Sequence, residues 1–258
     1  MAPTRLAELS RIEDAGLNAS APPQQRVLDG WLLRFSPGKA KRARCINAIA
    51  AGRLPLADKL LLCEQAYALA ALPMIVRITP FSEPAQLDET LANMGLRRFD
   101  DTRVMLLSDM VALGGLTPLD EASLRQVSGP EFADAVGALR GSPPQQREAH
   151  AERLHHSPVP YRGFVVQRDG ETLACGQYVV EAGMVGLYDV FTAPLARGRG
   201  MAGWLCHALL LRARDEEGAR RAYLQVEADN HAARSVYRRL GFTDAYAYHY
   251  RTRNPQAA

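Results

Sequence analysis

The sequence predicts a mixed α/β fold, an α+β arrangement around a mixed sheet, and three observations lead to this class. Helical periods of apolar residues alternate along the chain with short β-like runs, which is the pattern of a sheet covered by helices. Within 161–194, three apolar strand patterns are joined by the tight turns "RDGE" and "EAGM". A strand–helix–glycine unit also occurs twice, ending at Gly95 and at Gly241, which favours two related modules in tandem.

The first half of the chain alternates helical and β-like patterns. Leu56, Leu60, Cys63 and Tyr67 recur near the helical period, which indicates an amphipathic helix. The segment "PAQLDETLANMG" begins with a proline and ends at a glycine, as helices commonly do. The predicted elements are, in order, a helix over "TRLAELSRIEDAG", a strand over "GWLLRFS", β-like character over "RARCINAIA", a helix over "PLADKLLLCEQAYALAAL", a strand over "MIVRITP", the helix just described and a strand over "TRVMLLS".

A turn-rich segment, "DMVALGGLTPLDEA", separates the two halves, and we place the domain boundary there. The predicted domains are 1–112 and 118–258. A helix follows over "PEFADAVGALRG", and 142–160 is interpreted as a loop with one helical piece because it is rich in Pro, Gln and His. Three strands over 161–194 come next.

The last part of the chain returns to strands and helices with defined ends. Over 201–217, apolar residues recur at i, i+3, i+4, i+7 and i+8 from Met201, which predicts a helix with one buried stripe, ended by Gly218. A strand over "AYLQVEA" precedes a helix over 231–240, for which Asn230 is a good N-cap. The strand "AYAYHYRTR" closes the pattern.

Composition and charge are those of a globular protein with a buried core. Hydrophobic residues make up 47% of the 258 residues, charged residues make up 23%, and the formal net charge is +3. The most apolar segment, 66–76, contains Pro73 and is shorter than the roughly 20 residues that cross a bilayer. The N-terminal segment lacks the apolar stretch of a signal peptide. We therefore expect a soluble cytoplasmic protein with no membrane partner.

The cysteines and histidines do not form the spacings of a metal site. No Cys-x-x-Cys pair occurs, and His207 and His231 have no second ligand at metal spacing. We expect no metal and no disulfide framework, in line with a reducing cytosol. The four cysteines are Cys45, Cys63, Cys175 and Cys206.

The stretch "ARGRGMAGWL", residues 196–205, places two glycines and two arginines directly before an apolar helical pattern. The first amides of a helix have no internal acceptor, and the helix dipole adds partial positive charge there. Glycines let the backbone approach a ligand closely. The stretch therefore predicts an anion site at a helix N-terminus, with a basic flexible turn as the alternative. It matches neither a P-loop nor a complete dinucleotide fingerprint.

"RGRGMA" has the Arg/Gln-x-x-Gly-x-Gly/Ala pattern of the GNAT superfamily of N-acetyltransferases, which the second half of the chain resembles. "LYDVFTAP" before it looks like the fourth strand of that fold, and "LQVEADNHAARSVYRRLGF" is similar to its second conserved block. The three segments occur in the right order and spacing between residues 118 and 258. The resemblance implies a GNAT acyltransferase fold and acetyl-CoA as co-substrate.

The resemblance also implies where acetyl-CoA would bind. Its pyrophosphate would lie on the backbone amides of Gly198, Arg199, Gly200, Met201 and Ala202, with Arg197 opening the turn. The pantetheine arm would add like an extra strand along Val190, Phe191 and Thr192, because the fourth and fifth strands splay apart in this fold. An amide of the fourth strand would also stabilise the oxyanion.

Two residues of the second block match functional positions of the family. Asn230 matches an asparagine that contacts the pantetheine, and it also suits a simple N-cap. Tyr237 matches the general acid that protonates the thiolate leaving group. Because Tyr237 shares an apolar helical stripe with Val236 and Leu240, a core tyrosine is the alternative interpretation.

The general base departs from the family pattern. Positions that carry Glu or His in some relatives hold Gly186 and Tyr188 here. Asp189 and Glu227 lie on the two splaying strands and are the best carboxylate candidates for the base, directly or through water. An ordinary exposed strand residue is the alternative for each. His155 and His156 are interpreted as a solvated loop pair.

The first half lacks these features. No Arg-x-x-Gly-x-Gly/Ala segment occurs there, and aligning the two glycines places Pro84 opposite Asn230 and Leu91 opposite Tyr237. Neither residue can supply the missing chemistry. We therefore expect a degenerate GNAT-like module that packs against the catalytic half and shapes the acceptor pocket.

The sequence predicts an N-acetyltransferase that acts on a small-molecule primary amine in a ternary complex, as a monomer or homodimer. The alternatives are a protein or peptide amine as acceptor and a non-catalytic acyl-CoA-binding regulatory module. Nucleic-acid binding through "GKAKRAR" is disfavoured because the net charge is low and aromatic residues do not interleave with the basic ones. No nucleic-acid partner is expected.

Overall fold

The structure is a computed structural model that describes residues 3–119 and 122–257. The helices are α1 (Pro3–Ala19), α2 (Leu56–Leu69), α3 (Leu87–Asn93), α4 (Gly129–Arg140), α5 (Pro144–His155), α6 (Met201–Glu217) and α7 (His231–Arg239). The strands are β1 (Gln24–Leu28), β2 (Trp31–Phe35), β3 (Ile46–Ala48), β4 (Val76–Ile78), β5 (Arg97–Leu107), β6 (Ser123–Val127), β7 (Tyr161–Arg168), β8 (Glu171–Glu181), β9 (Met184–Thr192), β10 (Arg221–Glu227) and β11 (Thr243–Thr252).

The chain divides into two compact units that are not contiguous in sequence. The large unit contains the residues up to Ala19, Val104–Val226 and Asn230–Ala245. The small unit contains Ser20–Arg103, Glu227–Asp229 and the residues from Tyr246 onward. The predicted domains, 1–112 and 118–258, are contiguous halves and stay a prediction.

In the large unit, strands lie in the order β10-β9-β8-β7-β6. Strands β6 to β9 are antiparallel neighbours, and β10 is parallel to β9. The turns predicted from "RDGE" and "EAGM" are present, because Gly170 and Gly183 follow residues that also have positive φ, as two-residue hairpin turns require. Successive strand residues point to opposite faces, so this sheet presents two sides for helices to cover.

Helices cover both faces of the large-unit sheet. Phe164 and Val166 of β7 belong to the core formed with α6, whose predicted apolar stripe is buried except for Trp204, which is partly buried. Val165, between them, packs instead in a second core with Phe132 and Val136 of α4. The alternation along β7 therefore places α6 against one face and α4 against the other.

In the small unit, strands lie in the order β1-β2-β3-β4-β11, with β3 and β4 parallel and the other neighbours antiparallel. Its core contains Trp31 and Leu33 of β2, Leu60 and Tyr67 of α2, and Leu91 of α3, all of which are almost fully buried. Helix α2 was predicted from the helical period of Leu56, Leu60, Cys63 and Tyr67.

The predicted fold class, a mixed α/β fold, is confirmed. Within 142–160, the predicted helical piece is the twelve-residue helix α5 (Pro144–His155), whose bounds were not predicted. Its only buried residue is Leu154, so the helix carries almost no apolar period that sequence reasoning could detect. Strands β1 and β6 were not predicted either, because their residues are mostly exposed and polar.

None of the helices in 3–119 and 122–257 is both long enough and apolar enough to cross a membrane. The four cysteines are free thiols, and all of them are buried.

Candidate active site

The two strands that carry the predicted site, β9 and β10, diverge near their C-terminal ends. Met184–Leu187 of β9 pair with Arg221–Leu224 of β10, and no later residue of either strand belongs to this pairing. Both strands nevertheless continue, β9 to Thr192 and β10 to Glu227. On its other side β9 stays attached to β8, where Thr192 lies opposite Ala174. Over the described residues, the end of β9 therefore keeps a strand edge that β10 does not occupy.

A β-bulge marks the place where β9 diverges. The β8–β9 register changes between Cys175, which faces Phe191, and Gln177, which faces Tyr188. The additional residue lies on β9, and Asp189 there has a φ of 50° in the left-handed region. Aspartate tolerates this conformation better than most side chains, although it remains strained. A bulge of this kind bends its strand and increases the local twist.

The carboxylate of Asp189 is held by side chains from three other elements. Arg140 donates from Nη1 to Oδ1 over 2.9 Å, and Gln177 donates from Nε2 to Oδ2 over 2.8 Å. The Nε2 of His150 lies 3.4 Å from Oδ2. Burial by itself raises the pKa of Asp189, but contact with His150 and the charges of His150, Arg140 and Arg153 hold it well below its usual value. Asp189 is therefore an ionised carboxylate.

The glycine motif forms a tight turn into α6. Gly198 and Gly200 have φ values of 76° and 75°, which L-residues rarely adopt. A Cβ built on either glycine would meet no atom within 4 Å, so the space in front of the turn is open. No side chain in the described part of the chain caps α6, and its first backbone hydrogen bond runs from the Trp204 N–H to the Gly200 carbonyl. The amides of Met201, Ala202 and Gly203 therefore have no acceptor inside the helix.

Arg197 connects this turn to the end of β9. Its Nε donates to the Thr192 carbonyl over 3.3 Å, and its guanidinium lies 5.5 Å from the centre of the Phe191 ring. Arg140 lies at the same distance from that ring. The predicted residues from Val190 to Ala202 thus form one continuous surface, from the free edge of β9 to the N-terminus of α6.

Tyr237 lies on α7 against the large-unit core. Its ring meets Phe242 edge-on, with 6.1 Å between centroids. Desolvation by burial, assisted by the nearby Cys206 thiol, raises the pKa of Tyr237 well above its usual value. Across 3–119 and 122–257, the Tyr237 hydroxyl has no hydrogen-bond partner. The phenol therefore keeps its proton at neutral pH.

Asn230 and Glu227 lie at the ends of their elements. Asn230 caps α7, because its Oδ1 accepts from the Ala233 N–H over 3.1 Å. The predicted cap is confirmed, and a contact between Asn230 and pantetheine stays a prediction. Glu227 is the last residue of β10, is exposed and belongs to the small unit.

Gly186 and Tyr188 lie in a crowded part of β9, next to Tyr223 of β10. The hydroxyls of Tyr188 and Tyr223 lie 2.7 Å apart and form a hydrogen bond between β9 and β10. A Cβ on Gly186 would lie 2.6 Å from Tyr223 and 2.7 Å from Tyr188. A glycine is needed there because the two rings occupy the space that a Glu or His side chain would take.

Sequence reasoning missed Arg140, His150 and Gln177. They lie on α4, α5 and β8, and none belongs to a recognisable motif. Gln177 carries the one weak signal, since it is a polar residue in an apolar strand and is fully buried. His155 is the last residue of α5 and not a loop residue as predicted; its ring meets that of His156 edge-on, and both are exposed.

Residues 129–242 match the family model described as the acetyltransferase (GNAT) family. This region of the chain belongs to that family, and the protein is an acetyltransferase enzyme. The matched region includes α4, the divergence of β9 from β10, the glycine turn and α7.

Two relatives are similar over much of their length. The uncharacterized N-acetyltransferase YobR of Bacillus subtilis (strain 168) is 29% identical over 230 residues, which cover 88% of this chain and 91% of that protein. The mycothiol acetyltransferase of Streptomyces avermitilis is 31% identical over 176 residues, which cover 66% of this chain and 53% of that protein.

Solved structures share the fold at low sequence identity. A GCN5-related N-acetyltransferase from Kribbella flavida has a TM-score of 0.70 at 15% identity and covers 95% of both chains. A tandem GNAT protein from the clavulanic acid biosynthesis pathway has a TM-score of 0.60 at 17% identity, and covers 79% of this chain and 72% of that one. The tandem arrangement that the sequence predicts therefore occurs among proteins with this fold.

Proposed function

We propose that this protein transfers the acetyl group of acetyl-CoA to the primary amine of a small molecule, by direct attack in a ternary complex. One observation carries the proposal. The unpaired edge of β9 at Val190–Thr192 leads into the glycine turn at the N-terminus of α6. The surface is a strand edge followed by a cluster of free amides, and it fits an extended amide-bearing arm that ends in a pyrophosphate.

Acetyl-CoA binds in two parts in this proposal. The pyrophosphate accepts hydrogen bonds from the backbone amides between Gly198 and Ala202, assisted by the dipole of α6. The pantetheine amides pair with the main chain of Val190, Phe191 and Thr192. Asn230 keeps its cap to Ala233 and adds a contact to the pantetheine.

The acceptor amine attacks the thioester carbonyl once it has lost its ammonium proton. An amide of β9 stabilises the negative oxygen of the tetrahedral intermediate. When the C–S bond breaks, the thiolate takes a proton from Tyr237, whose raised pKa ensures that the phenol is protonated beforehand. The products are an N-acetylated amine and free CoA.

The ammonium proton passes to a carboxylate. Of the two predicted candidates, Glu227 is exposed, and none of the ion pairs described in the structure involves it. Asp189 accepts hydrogen bonds from Arg140 and Gln177, lies 3.4 Å from His150 and has a lowered pKa, so it holds a proton weakly. We therefore assign the base to Glu227, directly or through water.

A small-molecule acceptor in a cytoplasmic setting is the form of the proposal that we favour. The name of the Streptomyces avermitilis relative, mycothiol acetyltransferase, refers to a small molecule. Four free, buried thiols suit a reducing compartment. A protein amine is the second candidate within the same chemistry.

The experiment combines acetyl-CoA binding by calorimetry with thiol release from acetyl-CoA over a panel of amines, amino acids, aminoglycosides and peptides. We expect binding, and turnover with at least one small amine. Absence of acetyl-CoA binding would contradict the proposal. Binding without turnover on any amine would favour the non-catalytic acyl-CoA-binding module, and turnover on peptides alone would favour a protein acceptor.

A further inference from the structure

Asp189 combines a strained backbone with a carboxylate that side chains from three elements contact. Its φ of 50° is a strained backbone conformation, which is kept only where contacts with surrounding residues enforce it. It is the bulge residue, between Tyr188, which faces Gln177, and Val190, which begins the free edge. Whatever holds Asp189 therefore also sets the direction of the segment Val190–Thr192.

Three elements supply the groups that hold the carboxylate. Gln177 lies on the neighbouring strand β8 and is fully buried, so its amide has little freedom to move away. Arg140 lies in the last turn of α4, and its side chain is 35% exposed. His150 lies on α5, with a side chain 15% exposed. Oδ1 thus faces α4, while Oδ2 faces both β8 and α5.

Arg140 also contacts the segment that follows the bulge. Its guanidinium lies 5.5 Å from the centre of the Phe191 ring, in addition to its hydrogen bond with Asp189. One side chain from α4 therefore restrains β9 at two points, the bulge and the second residue beyond it.

We propose that Asp189 is a positioning residue, whose contacts with Arg140, Gln177 and His150 hold the bulge of β9 so that the free edge at Val190–Thr192 has the direction that pantetheine requires. We call these four residues the Asp189 clamp. The inference rests on the proposed function for its ligand, and it replaces the role of general base that the sequence favoured for Asp189.

The first experiment removes the clamp without altering Asp189. Arg140→Gln is expected to increase amide hydrogen exchange in the segment 187–193 and to weaken acetyl-CoA binding, each by about three- to fivefold, which is the size that a partly exposed ion pair supports. Arg125→Gln is the matched control, because Arg125 of β6 pairs with Glu131 of α4 over 2.7 Å, and its described hydrogen bonds go to Glu131 and Gln167, outside β9. Unchanged exchange and affinity in Arg140→Gln would overturn the proposal.

The pH dependence of kcat/KM separates positioning from base catalysis. If Asp189 were the base, loss of the Arg140 cation would raise its pKa and move the acidic limb of the profile to higher pH. If Asp189 only positions β9, the acidic limb of the Arg140→Gln profile stays at the same pH as in the wild type.

Asp189→Asn gives a second test, since asparagine also tolerates positive φ and can still accept a hydrogen bond from Arg140. We expect a loss of less than about tenfold, whereas loss of a general base costs about 10²–10⁴, and a loss of that size would overturn the proposal.

The outcomes also separate this inference from the proposed function. If the wild-type protein binds no acetyl-CoA, the proposed function fails, and the exchange measurement on Arg140→Gln still decides whether the clamp holds β9. If the wild type binds and acetylates but Arg140→Gln behaves like Arg125→Gln, only the clamp is refuted.

Discussion

At the scale of single residues, the proposed chemistry depends on one phenol whose environment keeps it protonated at neutral pH. Tyr237 is desolvated, keeps its proton and has no hydrogen-bond partner in the described parts of the chain. Its side chain is only partly buried on α7, so burial does not assign it to packing, and the catalytic interpretation stays a proposal.

Tyr237→Phe tests this interpretation directly. The substitution keeps the ring against Phe242 and removes only the proton donor, so we expect kcat to fall by more than about tenfold. The affinity for acetyl-CoA, measured by calorimetry, should change little. Tyr178→Phe is the matched control, because Tyr178 is a buried tyrosine of the same unit and shares the α6 core. Wild-type turnover in Tyr237→Phe would return Tyr237 to a packing role.

At the scale of elements, α6 offers two glycines in the same backbone conformation with different expected roles. Gly200 precedes the helix with a φ of 75°, and Gly218 follows it with a φ of 70°. A Cβ on either would meet no atom within 4 Å. The strain of an alanine is therefore similar at both ends, and only Gly200 lies in the proposed pyrophosphate site.

Gly200→Ala and Gly218→Ala form a matched pair. Each should destabilise the protein by about 1 kcal/mol, because alanine is strained at positive φ. We expect only Gly200→Ala to weaken acetyl-CoA binding, by tenfold or more, since its methyl group enters the open space before the helix. Calorimetry gives the affinity, and denaturant unfolding gives the stability. Equal affinities in the two variants would argue against a pyrophosphate at this turn.

At the scale of the whole molecule, the small unit has a core of its own, and it contains Glu227 but none of the other residues of the proposed chemistry. Leu91, which aligns with Tyr237, is fully buried in that core. Lys59 is an unusual member of the small unit, because its ammonium group is buried against the Trp31 ring at 4.9 Å. It donates to the carbonyls of Asp29 and Ala51 and pairs with the Asp29 carboxylate over 2.8 Å.

The Lys59–Asp29 pair predicts a pH-dependent stability. The hydrogen bond from Lys59, followed by those from the Leu54 and Arg53 amides, lowers the pKa of Asp29 to about 2. Because the folded pKa lies below the unfolded value of 3.8, the stabilisation is complete above that value and is lost as the pH falls through about 2. Lys59→Met should therefore lower the melting temperature by several degrees near neutral pH.

Thermal unfolding between pH 2.5 and pH 7 tests this prediction. The deficit of Lys59→Met relative to wild type should shrink below pH 3.8. Lys41→Met is the control, since Lys41 pairs with Asp100 over 2.7 Å but is partly exposed, and it should have a much smaller effect. A deficit that is constant with pH would mean that the carbonyl contacts of Lys59 stabilise the unit and that the ion pair does not.

Much of the fold and part of the site could be predicted from local patterns. Three features depend only on residues that are close together in the sequence, so local patterns predict them: the apolar period of α6, the hairpin turns between β7 and β9, and the N-cap of α7. The same holds for the glycine turn, because Gly198 and Gly200 need only their own backbone freedom. The bounds of helix α5 could not be predicted because it buries only Leu154, so the apolar period on which prediction depends is absent.

By itself, the sequence determined the mixed α/β class, the glycine turn before α6 and the resemblance to the GNAT acetyltransferases. Only the tertiary structure decided the surroundings of Asp189, because Arg140, His150 and Gln177 come from separate elements and meet Asp189 through packing and strand register. It also decided where β9 leaves β10, since that depends on the pairing ending at Leu187 and Leu224. Contacts between distant residues are fixed by how the chain packs, and no local pattern encodes them.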